Sequence, residues 1–153
     1  MGSGNKVVVF LLRISLGWLF FYAGITKIVN SEWSAAGYLK GAKTFTGFFT
    51  ALTAPGLLPV INFLNEWGLT LIGVALILGV AVRLAGSFGA MLMLFYYLPI
   101  LDFPYPNAHS FIVDEHIVYA LTLLVLGVMK AGQVWGLANW SRDRFPKLKS
   151  WLE

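Results

Sequence analysis

The chain has 153 residues, of which 58% are hydrophobic and only 12% charged. A soluble domain carries roughly 25% charged residues to keep its surface hydrated, so most of this surface must face lipid rather than water. There is no cysteine, which excludes structural disulfides, thiolate metal sites and any thiol–disulfide relay within the chain. The net charge of +4 gathers in the tail from Lys130 to Lys149, where it reads as a membrane-orientation signal and not as a nucleic-acid surface.

Crossing the hydrocarbon core takes about 20 apolar residues in a helix, and four stretches qualify. The first, 7–29, is interrupted by Arg13 and reaches Lys27 near its end. It is too long for the h-region of a signal peptide and carries an arginine inside, so it is read as a retained helix. Residues 30–56 mix Trp33, Tyr38, Phe45, Phe48 and Phe49 with Gly, Thr and Lys, a composition suited to short helices lying in the interface. The second span, 57–82, has Asn62, Asn65 and Glu66 near its start. Arg83 alone separates it from the third, 84–101, which predicts a tight hairpin. Pro104 and Pro106 keep the next connection non-helical. The fourth span, 110–130, opens with Asp114, Glu115 and His116, and a basic tail follows over 131–153.

The expected fold is therefore all-α: a single membrane domain, an up-down-up-down four-helix bundle with interfacial helices between spans one and two. Four spans put both ends of the chain on one side, with Lys6, Arg83, Lys130, Arg142, Arg144, Lys147 and Lys149. The other side holds Lys27, Lys40 and Lys43 together with acidic residues. The positive-inside rule then places both ends in the cytoplasm of a bacterial or archaeal cell, with the protein in the cell membrane.

Ionisable residues inside a span are costly and usually face the bundle interior. At 1.5 Å per residue, Tyr22 lies about 22 Å and Glu66 about 24 Å from the cytoplasmic end of their helices. Glu115 and His116 lie at about 21–22 Å, and Tyr96 and Tyr97 at about 18–20 Å. Four helices thus bring polar groups to one layer. On the second span Asn62, Asn65, Glu66, Leu69 and Gly73 share a face; on the fourth, Glu115, Tyr119 and Thr122 do, with His116 at the edge. Asp114 sits about 100° from Glu115, so at most one of the two is central. This layer can be a ligand or proton-handling site. It can equally be structural, with Glu115 and His116 among hydrated headgroups and Glu66 tied to Lys27.

Arg13, about 9 Å from the cytoplasmic end, has no carboxylate in its layer. It can snorkel to lipid phosphate, reach the tail near Asp143, or meet an acidic group of a partner subunit. Arg13, Gly17, Gly24 and Lys27 form a stripe whose small residues allow close helix approach. His109 and His116, placed on one helix, would be about 10 Å apart and could not both ligate one iron. Neither haem nor metal is expected.

The order Arg13, Gly17, Gly24, Lys27, then Trp33 and Tyr38–Leu39, then Glu66 with Gly73, Gly79 and Arg83 resembles the DoxX/DoxD family of small four-helix membrane proteins. Ile112–Tyr119, Gly132 and Trp135–Gly136 resemble the DoxD branch in particular. The resemblance covers essentially the whole chain and implies quinone-linked respiratory chemistry, since DoxD is known as the small subunit of a thiosulfate:quinone oxidoreductase. Some related bundles exchange disulfides through cysteine pairs, which this chain lacks.

Three functions fit. In the first, the chain is a quinone-reactive subunit of a membrane oxidoreductase, with Glu66, Glu115 and His116 relaying protons. Tyr22, Tyr119, Trp67, Arg13 and Lys27 would then stand on the binding side of the site, and a partner subunit would oxidise the substrate. In the second, it is a non-catalytic membrane or assembly subunit, with partners that are either another protein or further copies of itself. The third, a proton-coupled small transporter, is disfavoured because no inverted repeat is evident.

Overall fold

A computed structural model describes residues 2–144 of the chain. The described residues are helical, with turns and two isolated β-bridges between helices. The long helices are α1 (Ser3–Val29), α4 (Leu58–Leu78) and α5 (Val82–Ile100). At 27, 21 and 19 residues they are about 40, 31 and 28 Å long, enough to cross a bilayer. Their outward faces carry Leu11, Trp18, Leu64, Leu71 and Phe88, all exposed. Apolar surface spread around a helix in this way fits lipid contact. Three helices that are long and apolar enough to span make this a membrane protein.

The fourth expected span differs. Residues 110–114 are not helical, and α6 covers only Glu115–Val128. Its 14 residues rise about 21 Å. The physical reason is Asp114, whose carboxylate accepts from the backbone N–H groups of His116 and Ile117 at 3.0 and 3.3 Å. Such an N-cap starts a helix at the next residue. His109 consequently lies in the preceding exposed loop and not on the helix with His116.

The α1–α4 contact is a backbone-to-backbone seam. A β-carbon on Gly73 would lie 2.6 Å from Phe21 Cα; one on Gly24 would lie 2.9 Å from the Glu66 carbonyl oxygen. Gly17 meets Leu76 and Ile77, and Gly24 meets Thr70, so the two helices run antiparallel. Helices α5 and α6 are antiparallel as well: Gly86 lies against Leu123, Gly127 against Arg83, and the Tyr96 ring against His116. Phe20, Leu76, Leu123 and Leu126 are fully buried between the helices.

One end of the bundle is covered by the short helices α2 (Ala36–Lys40) and α3 (Thr46–Ala51), at the place expected for short helices. Leu39 and Phe49 are buried there against Leu58, Ile61 and Leu98. Asn62 Oδ1 accepts from the Ala35 N–H at 3.0 Å, and the Lys43 N–H donates to the Pro99 carbonyl at 2.8 Å.

The other end is closed by Arg13. It neither snorkels nor waits for a partner, since its relative exposure is 0%. Its Nη2 donates to the carbonyls of Val134 and Trp135 at 3.2 and 3.4 Å, so it does hold the C-terminal segment, at a point upstream of Asp143. The side chain of Asp143 lies outside the described residues. The Leu137 N–H adds a bond to the Leu78 carbonyl at 2.9 Å, and Phe10 meets the Trp135 ring edge at 5.3 Å. The hairpin between α4 and α5 falls at Gly79–Ala81, before the expected position at Arg83. Gly79 takes a left-handed φ of 69°, and a β-carbon on it would lie 2.8 Å from Arg13 Cζ. A glycine is needed there on both counts.

The seam gives a direct test. Gly73→Ala is expected to destabilise the detergent-solubilised protein by about 1–3 kcal/mol through overpacking. Gly68→Ala, on the same helix with no atom within 4 Å of an added β-carbon, should gain up to about 1 kcal/mol from helix propensity. Thermal unfolding followed by circular dichroism compares them; equal midpoints would contradict the seam.

Candidate functional site

The covered end of the bundle gathers side chains from five elements. Helix α1 delivers Lys27 on the same stripe as Gly17 and Gly24, so the close α1–α4 seam also carries the ammonium inward. Lys27 Nζ donates to the Tyr96 hydroxyl at 3.1 Å, and that hydroxyl donates to Asn65 Oδ1 at 2.8 Å. Lys27 Nζ also lies 5.2 Å from the Trp33 ring centroid, within cation–π range. Glu66, one residue on from Asn65, is half-buried and close enough to act electrostatically on Lys27. No direct Lys27–Glu66 ion pair forms.

From the other side, the His116 imidazole stacks on the Tyr96 ring at 5.8 Å between centroids and 17° between planes. Its Nδ1 lies 2.7 Å from Asp114 Oδ2. Asp114 is 5% exposed and serves twice, as helix cap and as anchor of the imidazole. A carboxylate takes up the protonated ring nitrogen, which leaves His116 Nε2 as the acceptor. Tyr38 closes the group from α2: its hydroxyl donates to the Tyr96 carbonyl, and its ring meets the Tyr96 ring edge at 5.6 Å. Burial pushes the Tyr38 phenol up from its ordinary range, and the neighbouring Tyr96 and Asp114 add to this. It is therefore a hydrogen-bond donor at any ordinary pH. Tyr97 donates to the Ile112 carbonyl, which ties the loop before α6 to α5.

Of the residues expected at the site, Glu66, Lys27 and His116 are brought together. Glu115 is not: it is exposed, and Asp114 takes the interior position. The cap fixes this outcome, because the capping residue must point back over the first turn while the next residue rotates away. Tyr22 is 59% exposed and stacks on Trp18; Trp67 is 43% exposed and packs on Phe63. Both lie on outward faces. Tyr119 packs against the apolar core, and Arg13 serves the opposite end. The residues missed as site members are Asn65, Tyr96, Asp114, Tyr38 and Trp33. Asn65 and Tyr96 carried a signal in their face and depth. Tyr38 and Trp33 had none, since only the fold-back of residues 30–52 brings them in.

Chemically the group offers an ammonium, two phenols, a carboxamide, a half-buried carboxylate and an imidazole of defined orientation. It can donate to an acceptor oxygen and pass protons. Asp114, Glu115 and His116 offer ligand atoms within 4.8 Å of one another. The Asp114 oxygens are already used by two backbone N–H groups and by His116 Nδ1, so the trio is a capped helix start and not a ready ligand set.

The family model described as DoxX matches residues 8–100, more than half of the chain, covering most of α1 and running through α5. No curated protein and no solved structure matches it. Lys27, Asn65, Glu66 and Tyr96 lie within the matched stretch; Asp114 and His116 lie beyond it.

The imidazole orientation is open to measurement. Nitrogen-15 spectra of histidine-labelled protein are expected to show His116 as the Nδ1–H tautomer when neutral. Asp114→Asn should lose that preference, and Asp114→Ala should also weaken the start of α6 by about 1 kcal/mol. An Nε2–H tautomer in the unsubstituted protein would refute the arrangement.

Proposed function

The chain belongs to the DoxX family, and from that premise we propose that it is a quinone-reactive subunit of a membrane oxidoreductase, of the thiosulfate:quinone type. The observation that carries this reading is the connected polar group at the covered end: Lys27 to Tyr96 to Asn65, with the Asp114-anchored His116 stacked on Tyr96.

Reducing a quinone to the quinol consumes two electrons and two protons. The electrons come from a donor on a partner subunit, which oxidises the sulfur substrate. The protons are this chain's concern. Lys27, positioned by its bond to the Tyr96 hydroxyl, donates its remaining N–H groups towards one ring oxygen and stabilises the negative charge that builds there on reduction. His116, with Nδ1 held by Asp114, transfers protons at Nε2, and Glu66 refills the group from the aqueous side. The aromatic rings of Trp33 and Tyr38 wall the site and limit access of water.

The same reading extends to topology. Helix α6 runs from the polar-group end, where His116 meets Tyr96, to the hairpin end, where Gly127 meets Arg83. Its 14 residues rise only about 21 Å, but this end-to-end path supports reading α6 as a fourth, shorter crossing, with Asp114 and Lys130 at its two ends. The hairpin end carries Arg83 and Lys130 and faces the cytoplasm of a bacterial or archaeal cell under the positive-inside rule. The polar group then opens towards the outer leaflet.

Because the chain has no cysteine, single-cysteine variants report topology cleanly. An impermeant maleimide applied to intact spheroplasts is expected to label His109→Cys and leave Ser3→Cys untouched until the membrane is opened. The reverse pattern would invert the orientation.

Quinone binding is tested by extracting the protein from its own membranes in mild detergent and analysing it by native mass spectrometry. A quinone is expected to co-purify and to be lost in Tyr96→Phe and His116→Ala but kept in Gly68→Ala. In the assembled oxidoreductase Glu66→Gln and His116→Ala should slow quinone turnover by roughly a hundredfold, the usual share of a general acid–base group. Normal turnover in both would sink the assignment. An intact larger assembly without quinone would favour the accessory-subunit reading.

A further inference from the structure

The connection between α5 and α6, residues 101–114, leaves most of its large apolar side chains uncovered: Phe103, Tyr105, Phe111, Ile112 and Val113 are all exposed. Along an extended chain successive side chains alternate between two faces, yet three in a row point away from the bundle core at 111–113. The break in alternation is at Ile112, which takes a left-handed φ of 59°. A β-branched residue holds that conformation only when its surroundings impose it. Two bonds do so here. The Ile112 N–H donates to the Pro104 carbonyl at 2.8 Å, and the Tyr97 hydroxyl donates to the Ile112 carbonyl. The Val113 N–H donates in turn to the Phe111 carbonyl at 2.6 Å. The stretch is therefore apolar on its outside and holds these backbone groups paired within the chain. A run of three exposed apolar residues is out of place against water.

We infer that residues 111–113 enter the bilayer and complete the fourth crossing as a non-helical segment, seated at the boundary between headgroups and acyl chains. Length points to lipid as what covers them. The 14 residues of α6 rise about 21 Å, whereas the hydrocarbon core is about 30 Å thick. Three further residues add at most about 10 Å, which makes up the difference. Irregular backbone survives beside lipid only where its polar groups are satisfied, and the bonds to Pro104, Tyr97 and Phe111 meet that condition. The Tyr105 ring meets the Phe111 ring edge at 5.7 Å between centroids, an aromatic pair of the kind that settles at the interface. Asn107 and His109, exposed in the turn between them, remain in water. The inference rests on α6 as the fourth crossing and not on the quinone assignment.

The test uses single-cysteine variants of the full chain, each carrying a nitroxide, in phosphatidylcholine vesicles. Collisions with oxygen, which concentrates in lipid, are compared with collisions with a water-soluble nickel chelate. Labels at Phe111→Cys and Val113→Cys are expected to favour oxygen, as should the control Leu124→Cys on the exposed face of α6. A label at Asn107→Cys should favour the chelate. All four positions are exposed, so the substitutions leave the bundle packing intact. Labels at 111 and 113 that favour the chelate would overturn the inference, and labels shielded from both reagents would overturn it in favour of a second copy of the chain. The crossing of α6 is checked separately: an impermeant maleimide should reach Ser3→Cys and Gln133→Cys from the same side of the membrane. Labelling from opposite sides would remove α6 as a crossing and the inference with it, whereas same-side labelling with a water-facing Phe111→Cys would remove the inference alone.

Discussion

A fully buried arginine in an apolar helix has to be surrounded by polar atoms, and the hairpin end of this protein is organised around meeting that need. Arg13 draws the carbonyls of Val134 and Trp135 onto its guanidinium, which folds the chain after α6 back across α1. The fold-back requires room, and Gly79 and Gly136 supply it: a β-carbon on Gly136 would lie 2.6 Å from Arg13 Nη1. Trp135 itself adopts a φ of 50°, a conformation that a bulky residue holds only when its surroundings impose it. Nε and Nη1 of Arg13 find no acceptor among the described residues, so the two carbonyl bonds carry the compensation for burying the charge.

Helix α1 links this latch to the other end. Arg13, Gly17, Gly24 and Lys27 share one stripe, which presses on α4 closely enough for backbone to meet backbone. Fourteen residues separate the two cations, about 21 Å along the axis, so a helix fixed in rotation at Arg13 delivers Lys27 to Tyr96 in a set orientation. The glycine seam is what makes the rotation definite, since a shift of one residue would turn Lys27 by about 100° and out of the group. The latch at one end and the polar group at the other are therefore consequences of the same face.

The polar group combines residues with separate structural duties. Asp114 begins α6 and orients His116; Asn65 sits beside Glu66 on α4 and accepts from Tyr96; Tyr38 fastens α2 to the end of α5 through the Tyr96 carbonyl. Tyr96 is common to nearly all of these contacts. A site in which each side chain is held by a second contact loses little entropy when it engages a ligand, which suits a role in positioning and proton transfer.

The amino-acid sequence by itself determined what depends on composition and on the helical period. The excess of apolar residues, the length of the first three spans, the short helices within residues 30–56 and the inward face of Asn62, Asn65 and Glu66 were all legible, because each is a local property of the chain. The stripe on α1 was legible for the same reason, as was the family, through the order of its spaced glycines and charges. Tertiary structure decided the rest. Whether Asp114 or Glu115 turned inward hung on which residue capped α6, a matter of one step around the helix. Tyr22 and Trp67 sat at the right depth but on outward faces, since depth does not fix azimuth. Tyr38 and Trp33 joined the site only because residues 30–52 fold back over the bundle. Arg13 found its partners in carbonyls more than a hundred residues away, and a backbone carbonyl leaves no mark in a sequence: any residue provides one, and only the path of the chain brings it to the charge.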